Sequence, residues 1–323
     1  MSSLFSKIKS DSVKVENGIF FVESKAVGIV LPSSLEGTKD DKKIIFGSKS
    51  IIQINEIDSE IQIVDALINS GSIVFGSTPE VVIKTKEILN TPLLSRTSSY
   101  LLSCVDNCDQ FLEAIDRITN ASVLIIGCGG IGSLTALTLA GSGIKHLTLI
   151  DDDQIEESNL NRQLLWTRND IGKFKVEVLH KSILDRFPDV NCHIYKKKLN
   201  DEDIENFTKD KDLVIITADE PLGIGIKGIE NLAPHNRPKV ISSGYTHSSL
   251  IVDYNNQAVT KKSDQNITWS RNPYFIGPSF GPSNVELAGT ISSLSIHEIA
   301  FNKLHNTQFI SQWDSKLFPR ELS

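Results

Sequence analysis

The sequence predicts an α/β protein, a doubly wound, mostly parallel Rossmann-like sheet preceded by a small N-terminal α+β domain of winged-helix-like character. Three observations carry this expectation. From about residue 121, continuous apolar runs (SVLIIG, KHLTLIDDD, VNCHIY, LVIITA, KVISS) alternate with helix-like segments. Strands of that kind are buried on both faces, as in a parallel sheet flanked by helices. The first run leads through GCGGIG into SLTALTLAGSG, an Ala/Leu-rich helix closed by Gly141 and Gly143. Before residue 95, by contrast, Val/Ile/Phe-rich stretches broken by Gly and Pro precede two short helical patterns, the signature of a separate small domain.

The elements follow in order. GIFFVESKAVGIVLP and KIIFGSKSIIQI read as strands. Asp58 is placed to cap a helix whose apolar positions Ile57, Ile61, Val64 and Ile68 recur at three- and four-residue spacing. A second helix is expected from Thr78-Pro79-Glu80 to Leu89, with Thr as cap and Pro at the first helical position. Asn90–Ser95, containing Pro92, is the expected linker, which divides the chain into domains 1–95 and 96–323. The later runs at 190–195, 213–218 and 239–243 supply the remaining strands, with helix-like segments between several of them.

Composition narrows the class. The 323 residues are 40% hydrophobic and 23% charged, with a net charge of −7. Such a balance speaks against a general nucleic-acid binder, which needs clustered Lys and Arg. Residues 1–95 hold 10 Lys, no Arg and 12 acidic residues, which suits duplex DNA poorly. No apolar run approaches the roughly 20 residues needed to span a bilayer, and the N-terminus lacks a signal-peptide core, so a cytoplasmic location is expected. Cys104, Cys108, Cys128 and Cys192 form no CxxC pair, so no zinc is expected. Cys104 and Cys108 are read as sharing a buried helix face, and Cys128 as a small core-filling residue. The histidines show no i, i+4 pair, and Lys196–Lys198 reads as a solvated strand end.

Gly127, Gly129 and Gly132 form GxGxxG, with Gly130 in the same turn. The first glycine permits the tight turn, the second lets backbone approach a phosphate, and the third allows close packing of helix on strand. The helix N-terminus beyond it presents free N–H groups to an anion. Asp151, ending the second strand, is placed to bind a ribose hydroxyl. A dinucleotide enzyme would serve equally well up to this point. The next segment, DDDQIEESNLNRQLLWTRNDIGKFK, then sets Asn159, Arg162, Gln163 and Lys175 just after the ribose acid. Two cations and two amides suit a site that cleaves a triphosphate, where departing charge must be offset. Asp219, ending LVIITAD, stands at the carboxyl edge of the sheet and could hold Mg²⁺.

GCGGIG, IDDDQIEESNLNRQ, GKFK and TAD, in that order, resemble the E1-like adenylating superfamily (the ThiF, MoeB and ubiquitin-activating type) over roughly residues 96–305. The resemblance implies that ATP lies against Gly127, Gly129, Gly130 and Gly132. Asp151 would bind its ribose, and Asp153, Asn159, Arg162, Gln163 and Lys175 would surround its phosphates, with magnesium on Asp219. It also implies a homodimer in which Arg96, 31 residues before Gly127, reaches into the partner's site. TADEPLG, SSGY at 242–245 and Phe-Gly-Pro-Ser-Asn at 280–284 are similar to the branch that modifies ribosomally made precursor peptides, of the microcin C7 and pantocin type. That likeness implies residues 1–95 as a peptide clamp for a leader peptide. The segment at 253–272 lacks a cysteine, so the acyl-adenylate would be attacked directly, as in Glu–Glu condensation, and not through a thioester. Activation of a ubiquitin-like sulfur carrier is the alternative. Ser283-Asn284 is read as a helix cap.

Overall fold

The computed structural model describes residues 4–10, 12–40, 42–55, 59–220, 238–255, 270–305, 307–312 and 320–321. The chain divides into two compact units, Met1–Asp116 and Arg117–Ser323. Among the described residues, no helix is long and apolar enough to cross a membrane.

The first unit is α+β. Strands β1 (Val13–Glu16), β2 (Ile19–Val22), β3 (Lys25–Val30) and β7 (Ile73–Phe75) form one antiparallel sheet in that order. β4 (Leu35–Lys39), β5 (Lys42–Phe46) and β6 (Ile51–Ile54) form a second. Asn17 and Gly18, both at positive φ, make the two-residue turn between β1 and β2, the conformation that an Asn-Gly pair favours. Helices α1 (Glu60–Asn69), α2 (Pro79–Leu89) and α3 (Ser95–Ser103) follow, and α4 (Cys108–Asn120) spans the division between units.

Two expectations hold for α2: Thr78 accepts from the Val81 N–H at 3.4 Å, and Pro79 opens the helix. For α1 the cap is Ser59, whose hydroxyl accepts from the Gln62 N–H at 3.4 Å. Asp58 and Ile57 lie outside the described residues. The buried face of α1 is also a correction. Ile63, Ala66 and Leu67 sit in the core, whereas Ile61 is 75% exposed. Both stripes have helical spacing, and the sheet selects the one that meets Ile45, Ile54 and Ile73. Cys104 and Cys108 do not share a helix. Cys104 is exposed at the end of α3, while Cys108 opens α4 and is buried, where desolvation pushes its thiol up to about 11.

The second unit carries an eight-stranded sheet in the order β10-β9-β8-β11-β12-β13-β14-β15. Its strands are β8 (Ser122–Ile126), β9 (His146–Ile150), β10 (Asn191–Tyr195), β11 (Leu213–Ile216), β12 (Lys239–Thr246), β13 (Ser249–Asn255), β14 (Thr307–Gln312) and β15 (Arg320–Glu321). Strands β10 to β12 run parallel, as expected from their buried apolar runs. The antiparallel extension β13–β15 was not visible in those runs. A two-residue turn at His247 and Ser248 pairs Thr246 with Ser249, and so short a link forces an antiparallel partner. Among the described residues, helices α5 (Gly132–Gly141), α6 (Lys175–Leu184), α7 (Asp201–Thr208) and α8 (Gly281–Phe301) accompany this sheet.

Topology locates the site. From β8 the chain passes through α5 to β9 and through α6 to β10, moving outward on one side; β11 then inserts on the other side of β8. The strand order thus reverses between β8 and β11, and ligands of open α/β sheets bind beyond the carboxyl ends at such a reversal. The residues that follow those ends are Gly127 and Thr217.

Candidate active site

The glycine loop is fixed by β8 and β11 together. Thr217 and Ala218 donate backbone N–H bonds to Ile126 O at 2.9 and 3.1 Å, and the Thr217 hydroxyl donates to Gly127 O at 2.6 Å. Gly127 has φ +90°, and a Cβ there would lie 2.5 Å from Ala218 N. Around Gly129 the backbone is open: an added Cβ would meet only Gln163 Nε2, at 3.6 Å. This is the approach a phosphate needs, beside the first turn of α5. The other side of the loop is filled by Asn284 of α8, which would lie 2.2 Å from a Cβ on Gly130 and donates to Arg162 O at 3.1 Å.

Asp151 leaves β9 beside this loop. One carboxylate oxygen accepts from the Cys128 N–H at 2.6 Å, the other from the Asp153 N–H at 2.8 Å. Burial pushes its carboxyl above the ordinary range, and the Lys175 charge and the two N–H bonds pull it back. The Cys128 side chain points into the core, fully buried, with its thiol pushed well up by desolvation and then by the Asp151 charge. It is the packing residue that the sequence suggested.

Lys175 opens α6. Its side chain is 7% exposed and its Nζ lies 2.6 Å from Asp153, whose side chain is 64% exposed. The buried ammonium thus pairs with one exposed carboxylate, and its charge also reaches Asp151. Gln163 is buried, and its Oε1 accepts from Trp166 Nε1 at 2.6 Å, which leaves the amide nitrogen aimed at Gly129. Asn159 is also buried, but its Oδ1 accepts from the Glu156 N–H at 3.1 Å and shapes the turn. Arg162 is half-buried and rests on Ser158 O at 2.6 Å and Asn161 Oδ1 at 3.1 Å.

The segment between Arg162 and Lys175 is pinned by Asp170, which accepts from Thr167 N at 3.0 Å, Thr167 Oγ1 at 2.7 Å and Lys173 Nζ at 2.9 Å. The Thr167 hydroxyl first, and Lys173 next, lower its pKa to about 2. Because the folded value lies below the unfolded one, this stabilisation is complete above about pH 4 and is lost as pH falls through about 2. Asp170→Asn is expected to lower stability by about 1 kcal/mol near neutrality. In a urea titration its deficit should shrink on acidification; a deficit constant from pH 7 to pH 2.5 would contradict the assignment.

Asp219 follows β11, its side chain 89% exposed, with Oδ2 3.1 Å from Arg271 Nη2. An exposed carboxylate at a sheet edge fits magnesium, which keeps most of its waters and takes one or two carboxylates plus phosphates. Tyr245, at the end of β12, lies within range of both the Asp219 and the Arg162 charges. Burial raises its pKa most, and its hydroxyl pairs with Ser279 while feeling both the Asp219 and the Arg162 charges. Arg96 lies exposed in the first turn of α3, in the first unit.

The sequence motifs overlooked several partners. Arg271 is far along the chain from Asp219 and Glu220, which it pairs with, and no local pattern marks it, whereas Asn284 lies in the Phe-Gly-Pro-Ser-Asn stretch already singled out. Ser283 does cap α8, exchanging bonds with Phe280, but Asn284 instead packs under the glycine loop, a correction to its reading as a cap. Lys196, Lys197 and Lys198 are each ion-paired, to Glu177, Asp203 and Glu220. Pro221–Gly223 of TADEPLG and residues 256–269 of the cysteine-free segment lie outside the described residues.

Residues 105–271, which contain this loop, acid and lysine, match the ThiF family. The chain belongs to the ThiF family. Among curated proteins it is 35% identical over 111 residues to the sulfur carrier protein ThiS adenylyltransferase of Escherichia coli strain K12, a match spanning 34% of this chain and 44% of that protein. It is 37% identical over 103 residues to a probable molybdopterin-synthase adenylyltransferase of Gracilaria tenuistipitata var. liui, covering 32% and 29% respectively. The matches thus span less than half the length of these relatives. Among solved structures, this ThiF-family chain resembles E. coli MccB with ATP (TM-score 0.70, 19% identity, 92% of this chain and 96% of that one). It also resembles PaaA (TM-score 0.56, 24% identity, 73% and 84%). At such identities the likeness is one of fold, and for MccB it covers 92% of this chain.

Proposed function

We propose that this protein uses ATP to adenylate a carboxylate of a ribosomally made precursor peptide, and that a nucleophile of the same peptide then attacks the acyl-adenylate. The observation that carries the reading is the convergence, beyond the ends of β8, β9 and β11, of an open glycine, a ribose-height carboxylate and a buried lysine. The match to MccB over both units favours a peptide substrate, since one solved structure describes MccB as a microcin C7 biosynthetic enzyme in complex with N-formylated MccA.

In this mechanism the loop at Gly129 and the α5 N-terminus bind phosphate oxygens through backbone N–H groups, and Asp151 holds the ribose. Magnesium on Asp219 would neutralise phosphate charge. Lys175 and Arg162 offset the charge that develops as pyrophosphate leaves, a contribution of the kind worth roughly 10²–10³ in rate per group. Arg96 of a second copy would add a further cation in a homodimer. No side chain forms a covalent bond to substrate; catalysis comes from positioning and electrostatics.

The test is ATP–pyrophosphate exchange by the purified protein, offered the short peptide encoded beside its gene, followed by mass spectrometry of the peptide. Exchange that depends on the peptide supports the reading. Exchange with a ubiquitin-like carrier ending in Gly-Gly, and none with the peptide, would favour sulfur-carrier activation, the role named for the curated relatives. Absence of exchange with both would end the adenylation proposal.

A further inference from the structure

At the carboxyl end of β11, Asp219 and Glu220 share one guanidinium. Arg271 places Nη2 3.1 Å from Asp219 Oδ2 and Nη1 3.2 Å from Glu220 Oε1. Its carbon centre stands 4.9 Å from the Phe275 ring centroid, on the ring face, so stacking fixes the plane of the fork. On its other side Glu220 meets Lys198 Nζ at 2.6 Å, and Lys198 in turn feels Asp152 and Asp153. Two carboxylates are thereby balanced by two cations, 51 and 22 residues away from Glu220 in sequence.

We propose that Arg271 competes with the divalent cation for Asp219: it holds the metal-binding carboxylate until the metal–nucleotide complex arrives, and is then free to bind an anionic group of the substrates at the same edge. The inference deepens the adenylation reading and rests on it. A divalent ion on Asp219 with Arg271 still in place would bring like charges within a few ångströms, so one must leave. Arg271 can leave, because its side chain is 32% exposed and its partners are solvent-facing. A lysine would be a poorer occupant, since only the planar fork spans both carboxylates at once. The released cation stays near Asp219 and Glu220 at the carboxyl end of β11, where phosphate charge would be exchanged for a carboxylate. It is thus a positioning residue for the metal and a candidate ligand for a substrate anion.

The full-length protein, saturated with a non-hydrolysable α,β-methylene ATP analogue, is titrated with Mn²⁺, and free Mn²⁺ is read by electron paramagnetic resonance. Arg271→Ala and Arg271→Gln are expected to bind Mn²⁺ about fivefold more tightly than the parent, the factor an exposed ion pair can withhold. Arg271→Lys should fall between. In exchange assays the same variants should need less Mg²⁺ for half-maximal rate yet show a kcat lowered about tenfold or more, a split that lost folding does not produce. Unchanged or weaker Mn²⁺ binding in both Arg271 variants, with melting temperatures near the parent's, would overturn the role of Arg271 while adenylation stood. Should Asp219→Asn bind Mn²⁺ as the parent does, Asp219 is not the metal ligand, and the site reading falls together with this proposal.

Discussion

Lys175→Met is expected to reduce ATP–pyrophosphate exchange by roughly 10²–10³-fold while leaving the melting temperature within a few degrees of the parent's. The two halves of that result come from one asymmetry. The ammonium is buried, 7% exposed, while its partner Asp153 is 64% exposed. Holding a cation there costs desolvation, so methionine, which fills a similar volume, relieves as much as it loses. Asp153, left unpaired, is already solvated, and Asp151, which loses the Lys175 charge, keeps its two N–H bonds from Cys128 and Asp153. A folding role would predict the opposite: a large stability loss and activity that follows it. Exchange kinetics with a thermal melt on the same preparation separate the two. If Lys175→Met turns over at more than a tenth of the parent rate, Lys175 is not the cation that meets the phosphates.

The glycines of the loop should give two distinct failures. In Gly132→Ala the new Cβ would lie 1.9 Å from Gly127 O and 2.6 Å from Thr217 Oγ1. The first of these is backbone held between two strands, so nothing flexible can give way. The expected cost exceeds 3 kcal/mol, in the range that marks a severe core lesion, read as insoluble expression or a much lowered urea midpoint. Gly129→Ala meets only Gln163 Nε2 at 3.6 Å and should fold with stability near the parent's. Its methyl would occupy the open face of the loop, and ATP affinity should drop at least tenfold in a calorimetric titration. A stable Gly132→Ala, or a Gly129→Ala that binds ATP normally, would contradict the loop geometry described here.

Much of this was legible in residue order. The alternation of apolar runs gave the parallel strands, and GCGGIG between a strand and an Ala/Leu helix gave the loop. The DDD to GKFK segment placed Asp151, Gln163 and Lys175 near one another because a short stretch of chain must return to the same sheet edge. What failed locally failed for one reason. On α1, two apolar stripes satisfy the same helical spacing, and only the sheet beneath chooses Ile63 over Ile61. Cys104 and Cys108 lie at a spacing that fits one helix, but a break between α3 and α4 sends one to solvent and the other to the core. Asn284 lies in the first turn of α8, close to where a cap would sit, but its side chain is claimed by the glycine loop more than 150 positions earlier.

The sequence alone marked the parallel strands, the glycine loop, Asp151 and Lys175, because each is carried by a motif of residues close together along the chain. Only the tertiary structure decided that β11 inserts beside β8 to create the reversal, that Lys175 pairs with Asp153, and that Arg271 reaches back to Asp219. Those outcomes depend on pairing between distant segments, and such pairings are settled by packing and charge balance across the sheet, which no local pattern of residues records.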